Sequence, residues 1–125
     1  MAGPAALRPV LILLALAAML FAAPPAPAQP TPEALAAARQ AVVKVRSFVT
    51  GEARTARTLG TTREGTGIVI DADGLIVTIG YVILEAMGVE ITDHRGRAMR
   101  AEIVGIDADT GFGLLRATEP LDVKP

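Results

Sequence analysis

The chain has 125 residues, with 12 basic and 13 acidic side chains and no cysteine. This length allows at most one domain, and the lack of cysteine excludes a disulfide framework, a cysteine nucleophile and a cysteine metal site. A net charge of −1 and only four aromatic residues, three Phe and one Tyr, give neither a basic field nor a base-stacking surface, so we expect no nucleic-acid partner.

The N-terminal residues have the layout of a secretory signal peptide. Arg8 precedes an uncharged apolar run from Val10 to Ala23, prolines follow, and Ala28 lies before Gln29. A retained membrane anchor is the alternative, but the run is shorter than the ~20 apolar residues needed to cross a bilayer. We therefore expect residues 1–28 to be removed after Ala28, leaving a periplasmic or secreted protein without a stable membrane span.

Residues 29–40 are expected to contain a short helix. Thr31 suits the N-cap, Pro32 the first helical position, and Glu33 complements the helix dipole. From Ala41 the pattern changes to strand spacing, with valines alternating with other side chains. One face carries Val43, Val45 and Val49, and the other carries Lys44, Arg46 and Phe48.

Residues 50–64 form a polar segment that we interpret as a solvated, mobile loop. Arg54, Arg57 and Arg63 could instead form an anion site, but Glu52 and Glu64 offset their charge. From residue 65 onward, short strands are expected at 67–71, 75–79, 89–92, 98–106 and 112–117, with a helical turn at 81–86. Six strands at regular spacing, with turn signals between them, indicate a small all-β barrel or sandwich.

Four segments resemble, in order and spacing, the protease domains of trypsin-fold serine proteases of the HtrA/Deg type. The segment from Leu75 to Ile83 is similar to their Leu-Ile-x-Thr-x-x-His-Val-Val motif. The other three resemble the Gly-Ser-Gly hairpin, the Ala-Glu-Val-Val-Gly-x-Asp strand and the x-Thr-Asp-Leu-Ala-Leu-Leu strand, and they lie at 65–74, 101–107 and 109–115. The similarity covers residues 41–118. It implies an all-β fold, a six-stranded antiparallel barrel like the first barrel of the family, over residues 41–125.

This resemblance also implies where a catalytic triad would lie, and there the sequence departs from the family. Tyr81 occupies the position of the histidine, and Gly111 that of the aspartate. The serine and oxyanion hole belong to a second barrel, expected beyond Pro125, so the chain is interpreted as a truncated first barrel. Such a barrel would expose the apolar face that packs on the second one, so we expect self-association.

The expected function is that of an exported, catalytically inactive protease homologue that acts by binding a protein or peptide. A phenol holds its proton too tightly to act as a general base at neutral pH, and loss of a triad member typically costs on the order of 10⁴ to 10⁶ in rate. Two alternatives stay open. One is an active serine hydrolase that uses a different constellation of residues, or a serine endopeptidase whose nucleophile lies in a missing second barrel. The other is an unrelated small envelope β-barrel that binds a ligand.

Other candidate site residues have plainer interpretations. His94 lies in a predicted hairpin turn, where an exposed turn residue is a better interpretation than a base or metal ligand. The acidic segments at 71–74 and 107–109 lack the spaced ligands of a calcium loop. Glu85 and Glu90 are expected to be solvated rather than a catalytic pair. No cofactor or metal is expected.

The aromatic residues near the triad positions are also assigned structural roles. Tyr81 is expected to fill the place of the histidine and to bond its hydroxyl to a loop carbonyl. Phe112 is expected to point into the core, between two glycines that permit a tight turn.

Overall fold

The computed structural model describes residues 7–21 and 24–125. In helix α1 (Leu7–Phe21), residues 7–20 are exposed. The predicted signal peptide 1–28 includes residues 1–6 and 22–23, which lie outside the described residues. In the described part of the chain, the helices are too short or too polar to cross a membrane.

Helix α2 (Pro32–Gln40) begins where the sequence predicts. The Thr31 side chain accepts a hydrogen bond from the Ala34 N–H at 3.1 Å, which satisfies one of the unpaired donors of the first turn. The helix ends at Ala41, whose buried side chain joins the core of the barrel that follows.

Six antiparallel strands close into a barrel in the order β1-β2-β3-β6-β5-β4. This confirms the predicted architecture. The strands are β1 (Val42–Val49), β2 (Thr62–Val69), β3 (Leu75–Ile79), β4 (Ala86–Thr92), β5 (Ala98–Ile106) and β6 (Phe112–Ala117). Two short helices interrupt them, namely α3 (Ala56–Leu59) and α4 (Gly80–Ile83).

Aliphatic side chains from all six strands and from α4 fill the barrel interior. The predicted face of β1 is confirmed, because Val43, Val45 and Val49 are buried while Lys44 and Phe48 are exposed. Ser47 is buried on the same face as these valines. Each fully buried Val, Ile or Leu stabilises the fold by roughly 1.5–3 kcal/mol. The fully enclosed apolar residues are Val43, Val45, Ile76, Val82, Ile83, Ile91 and Leu115.

The segment 50–64 is not the solvated loop that its composition suggests. It contains α3, and β2 starts within it at Thr62, so Arg63 lies in a strand and is only 3% exposed. On the outer face of β2, Glu64 forms ion pairs with Lys44 at 3.1 Å and Arg46 at 2.7 Å. Arg54 and Arg57 are exposed, as expected.

Three other expectations near the helical turn are wrong in detail. The turn lies at Gly80–Ile83 rather than at 81–86, and β4 starts at Ala86 rather than at residue 89. Phe112 does not point into the core, since its side chain is 54% exposed. The inward position belongs to Gly113, because a Cβ there would lie 2.6 Å from Ile83 Cδ1.

Candidate functional site

The end of the β3–β6 ladder brings together Tyr81 and Gly111, the two positions at which the sequence resemblance predicts triad residues. Ile79 pairs with Phe112, and the Gly80 N–H then donates to the Gly111 carbonyl at 2.7 Å. Gly80 fits this contact because a Cβ would lie 3.0 Å from that same oxygen. Tyr81 therefore follows directly after a backbone contact to Gly111.

Gly111 has φ +77°, in the left-handed region that favours glycine. Its N–H donates to the Asp107 carbonyl at 2.8 Å. The Asp107 carboxylate accepts from the Thr110 hydroxyl at 2.8 Å and from the Asp109 N–H at 3.0 Å. These bonds, the Thr110 hydroxyl first, lower the pKa of Asp107. The acidic segment thus closes a turn, which is the role expected for it.

Side chains from two strands fix the carbonyls of the Tyr81 turn. The Arg63 guanidinium donates to the Tyr81 carbonyl at 2.9 Å and to the Leu84 carbonyl at 2.7 Å. The fully buried Ser47 hydroxyl donates to the Val82 carbonyl. Backbone oxygens that the short helix leaves unpaired are thereby satisfied, so the turn is held rigidly.

A second part of this network joins the turn to the segment before β2. Arg63 Nη2 donates to Thr55 Oγ1 at 2.7 Å, and that hydroxyl donates to Glu85 Oε2 at 2.5 Å. The Thr55 N–H also donates to Glu85 Oε2, at 2.9 Å. Glu85 is the one non-glycine residue with positive φ in the described chain, at +59°. The network therefore holds Glu85 in a strained conformation.

Glu85 is exposed, as expected, and its carboxylate also accepts hydrogen bonds from the Thr55 segment. The hydrogen bond from the Thr55 hydroxyl, then that from the Thr55 N–H and the charge of Arg54, lower the pKa of Glu85 from its usual value of 4.5, against the opposing effect of burial. Arg54 Nε lies 3.7 Å from Glu85 Oε1. The carboxylate acts as an acceptor that orders the segment around Thr55.

The Tyr81 side chain takes no part in this network. It is 48% exposed, and among the hydrogen bonds of the described residues Tyr81 contributes its backbone carbonyl, not the hydroxyl that was expected to bond a loop. Ile79 and Phe112, cross-strand partners beside it, are each 54% exposed. The site therefore presents a phenol and apolar surface at the positions where the sequence resemblance predicts an imidazole and a carboxylate.

The remaining candidates lie apart from this site. His94 is exposed in the turn between β4 and β5, as expected. The Asp71 carboxylate accepts from the Leu75 N–H at 2.8 Å, and Gly74 has φ +81°, so the segment 71–74 is a hairpin turn. Within the described ranges, 7–21 and 24–125, no three potential ligand side chains are grouped closely enough to hold a metal ion.

Sequence reasoning missed Arg63, Ser47 and Thr55, the residues that build the site. For two of them the sequence carries a signal. Ser47 falls on the valine face of β1, and Arg63 falls on the inward face of β2 if the alternation of Gly67 and Val69 is continued backwards. Thr55 carries no such signal, because it lies in an irregular segment.

Comparisons with known proteins agree with the geometry. The family model of the trypsin-like peptidase domain matches residues 65–125. A probable periplasmic serine endoprotease DegP-like of Chlamydia trachomatis is 35% identical over 52 residues, and the protein of that description from Chlamydia muridarum is 33% identical over 52 residues. Each alignment covers 42% of this chain and 10% of the relative, so the chain spans about a tenth of their length.

The fold is also that of solved HtrA-type proteases. The HtrA-type protease AlgW with tripeptide, and a variant of it, each match with a TM-score of 0.59 and 19% identity. The match covers 71% of this chain and 26% of theirs. At this identity the likeness concerns the fold of the barrel.

Proposed function

The barrel is a trypsin-fold domain of the HtrA protease type, and from this premise we propose that the chain is a non-catalytic member of that group. Its role in this proposal is to bind protein or peptide segments rather than to cleave them. The proposal depends on one observation: Tyr81 and Gly111 occupy the histidine and aspartate positions of the family motif.

The chemistry of these two residues supports the proposal. A general base must take the serine proton near neutral pH, and a phenol is poorly suited to do so. Glycine has no carboxylate to orient a base. These two substitutions remove the base and its orienting group whatever the length of the polypeptide that carries the barrel.

The preserved scaffold argues for a retained binding role rather than for loss of the whole site. Arg63 and Ser47 still fix the turn at residues 81–84, although that turn bears no histidine. Burying an arginine costs free energy unless its guanidinium is hydrogen-bonded, so Arg63 can stay buried only while the carbonyls of this turn accept its hydrogen bonds. We infer that the turn is kept as a rigid part of a surface.

Export is part of the same proposal. The segment 1–28 is proposed as a cleaved signal peptide, residues 29–40 as a leading helix and 41–125 as the barrel. The names of the matched relatives place those proteins in the periplasm, and a periplasmic or secreted location is the one we propose here. N-terminal sequencing of the exported protein, with Gln29 expected as the first residue, tests it. Recovery of an uncleaved N-terminus from the membrane fraction would contradict it.

A proteolysis assay tests the loss of catalysis. The full chain is incubated with casein and with a fluorogenic peptide, beside a Tyr81→Phe variant that keeps the ring and removes the hydroxyl. We expect both proteins to give the blank rate. Turnover by the wild type that disappears in Tyr81→Phe would sink the proposal, since the phenol would then be the base.

Labelling with a fluorophosphonate probe distinguishes the non-catalytic proposal from the main alternative. That alternative is an active serine hydrolase with a different set of catalytic residues. The proposal expects no covalent adduct by intact-mass measurement. A stoichiometric adduct would favour the hydrolase.

A further inference from the structure

Strands β4 and β5 are paired along only part of their length. Their ladder runs from Val89 opposite Ala101 to Thr92 opposite Ala98. Before Val89, β4 follows β1, and after Ala101, β5 follows β6. The barrel wall therefore opens between residues 86–88 and residues 102–106, a region that we call the wedge.

Each of the two strands carries a register shift at the wedge. On β4, Gly88 pairs with Phe48 and Ala86 with Val49, so Met87 is an extra residue. On β5, the register shifts between Ile103 and Gly105, so Val104 is extra. Such bulges bend a strand and end its regular pairing. Met87 and Val104 are 78% and 53% exposed, so the opening is built into both strands.

The wedge contains open space on the protein surface. Two adjoining cavities of about 540 and 280 Å³ share its walls, which are formed by Met87, Gly88, Val89, Ala101 and Glu102. Phe48 adds an aromatic side to the larger cavity, and Ile103 adds an aliphatic side to the smaller one. The walls are thus strand backbone with apolar side chains beside it, and charged side chains of Glu90, Arg100 and Glu102 also line the larger cavity.

The edge of β5 that faces the wedge carries a bulge, but over residues 103–106 it lacks charged side chains and proline, two other protections of an edge strand. Ile103, Val104 and Ile106 are all exposed, and residues 103–106 contain no charge and no proline. Natural edge strands normally carry such features because an open edge pairs readily with another chain. An edge of β-branched residues without charge or proline is available for pairing with another strand.

We propose that the wedge binds an extended peptide segment with apolar side chains at alternate positions, which adds as a strand to the edge of β5. A row of backbone donors and acceptors is recognised by another extended backbone, and alternate side chains provide specificity. The wedge is bounded on its other side by β4, so it favours a single strand over the edge of a second barrel. This site makes the proposed function more specific. It rests on the proposed function in one respect, namely that the chain acts by binding.

The probe for this site is a fluorescently labelled acetyl-Val-Thr-Val-Thr-Val-Thr-amide. We expect its anisotropy to rise on titration with the full chain. Two further peptides carry N-methyl groups on one or the other alternate set of amides. One of the two should bind about tenfold or more weakly, because it loses inter-strand hydrogen bonds while its side chains stay the same. Equal binding of all three would overturn strand addition.

Matched protein variants locate the site. Val104→Lys puts a charge on the open edge, and Ile68→Lys makes the same change at an exposed position of β2, which is paired on both sides. We expect Val104→Lys to weaken probe binding about tenfold and Ile68→Lys to leave it within about twofold. Hydrogen exchange should show new protection at residues 102–106 when the probe is bound.

The outcomes separate this site from the proposed function. Cleavage of the probe would contradict the non-catalytic role and leave the site standing. Equal binding by the wild type and Val104→Lys, or protection elsewhere, would overturn the site and leave the non-catalytic role standing. A dimer that Val104→Lys abolishes, with no probe binding, would overturn it in favour of a second copy as the occupant.

Discussion

At the scale of single residues, Tyr81 and Gly111 lie on either side of one backbone contact, the 2.7 Å hydrogen bond from Gly80 to Gly111. Apart from residue 111 and its two chain neighbours, no atom of the described chain lies within 4 Å of a Cβ added at residue 111. Its positive φ is one that aspartate and asparagine tolerate better than other non-glycine residues. The two positions could therefore accept a histidine and a carboxylate without rebuilding the strands.

The double substitution Tyr81→His with Gly111→Asp is expected to recreate an imidazole–carboxylate pair. A nearby carboxylate favours the charged imidazole, so its pKa should be raised by about 1 relative to Tyr81→His alone. NMR titration of the ring protons measures this, with His94 in its exposed turn as an internal control. Identical titration curves in the single and double variants would show that the two positions do not meet.

How far such residues can be predicted depends on what surrounds them in the sequence. Tyr81 and Gly111 could be picked out because apolar strand residues flank both. Arg63 was overlooked because it is one of three arginines in a polar segment, and only the alternation of β2 continued backwards from Gly67 and Val69 marks it as inward. Gly65 and Gly67 leave the space inside β2 that such partners use, as a Cβ at Gly65 would lie 2.7 Å from Val82 Cγ2.

At the scale of elements, Arg63 connects three pieces of chain. It reaches from β2 to the carbonyls of α4 and to Thr55 just before α3. The strand bounds at 75–79, 98–106 and 112–117 were predicted correctly, because glycines at 74, 96 and 111 with positive φ precede them. The starts of β2 and β4 were not, since Thr62-Arg63-Glu64 and Ala86-Met87-Gly88 lack a β-branched apolar pattern.

Replacing Arg63 tests this connection. Arg63→Met should lower the free energy of unfolding by on the order of 2–4 kcal/mol, because several buried carbonyls lose their donors. Arg57→Met, in the same segment but exposed, should change it by less than about 0.5 kcal/mol. Urea denaturation followed by circular dichroism provides both values. Similar small effects for the two variants would mean that the turn does not depend on Arg63.

Glu85 gives the same connection a dependence on pH. Its pKa is lowered in the folded protein, so its stabilising effect is fully present above its usual value of 4.5 and is lost as pH falls through the lower folded value. The difference in unfolding free energy between the wild type and Glu85→Gln should be constant near neutral pH and shrink below about pH 4.5. The difference between the wild type and Glu119→Gln, in the exposed C-terminal segment, serves as the control. A gap that persists unchanged into acid would contradict this assignment.

At the scale of the whole molecule, one outer face of the barrel is apolar. It is formed by outward side chains of β3, β6 and β5, and a groove of about 480 Å³ runs along part of it. Its members, which we call the apolar face, are Val77, Ile79, Val104, Ile106, Phe112 and Leu114. Contiguous exposed apolar surface of this kind marks interaction sites or a tendency to aggregate.

We expect the full chain to self-associate through the apolar face. Phe112→Arg should shift the protein towards the monomer, while Phe48→Arg, an exposed phenylalanine on the other side of the barrel order, should not. Light scattering over a range of concentrations measures this. A monomeric wild type at high concentration would contradict the expectation.

The barrel closes on β1, which pairs with β2 along one edge and with β4 along the other. The family match begins at residue 65, so it leaves out a strand on which two ladders depend. The unit recognised by sequence is thus smaller than the unit that folds. A fragment 65–125 would carry two long unpaired edges, and we expect it to precipitate where a fragment 29–125 stays in solution. Solubility of the two fragments after refolding would decide this, and a soluble, cooperatively unfolding 65–125 would refute it. For anyone cutting this domain out of a longer polypeptide, the first residue to keep lies upstream of Val42.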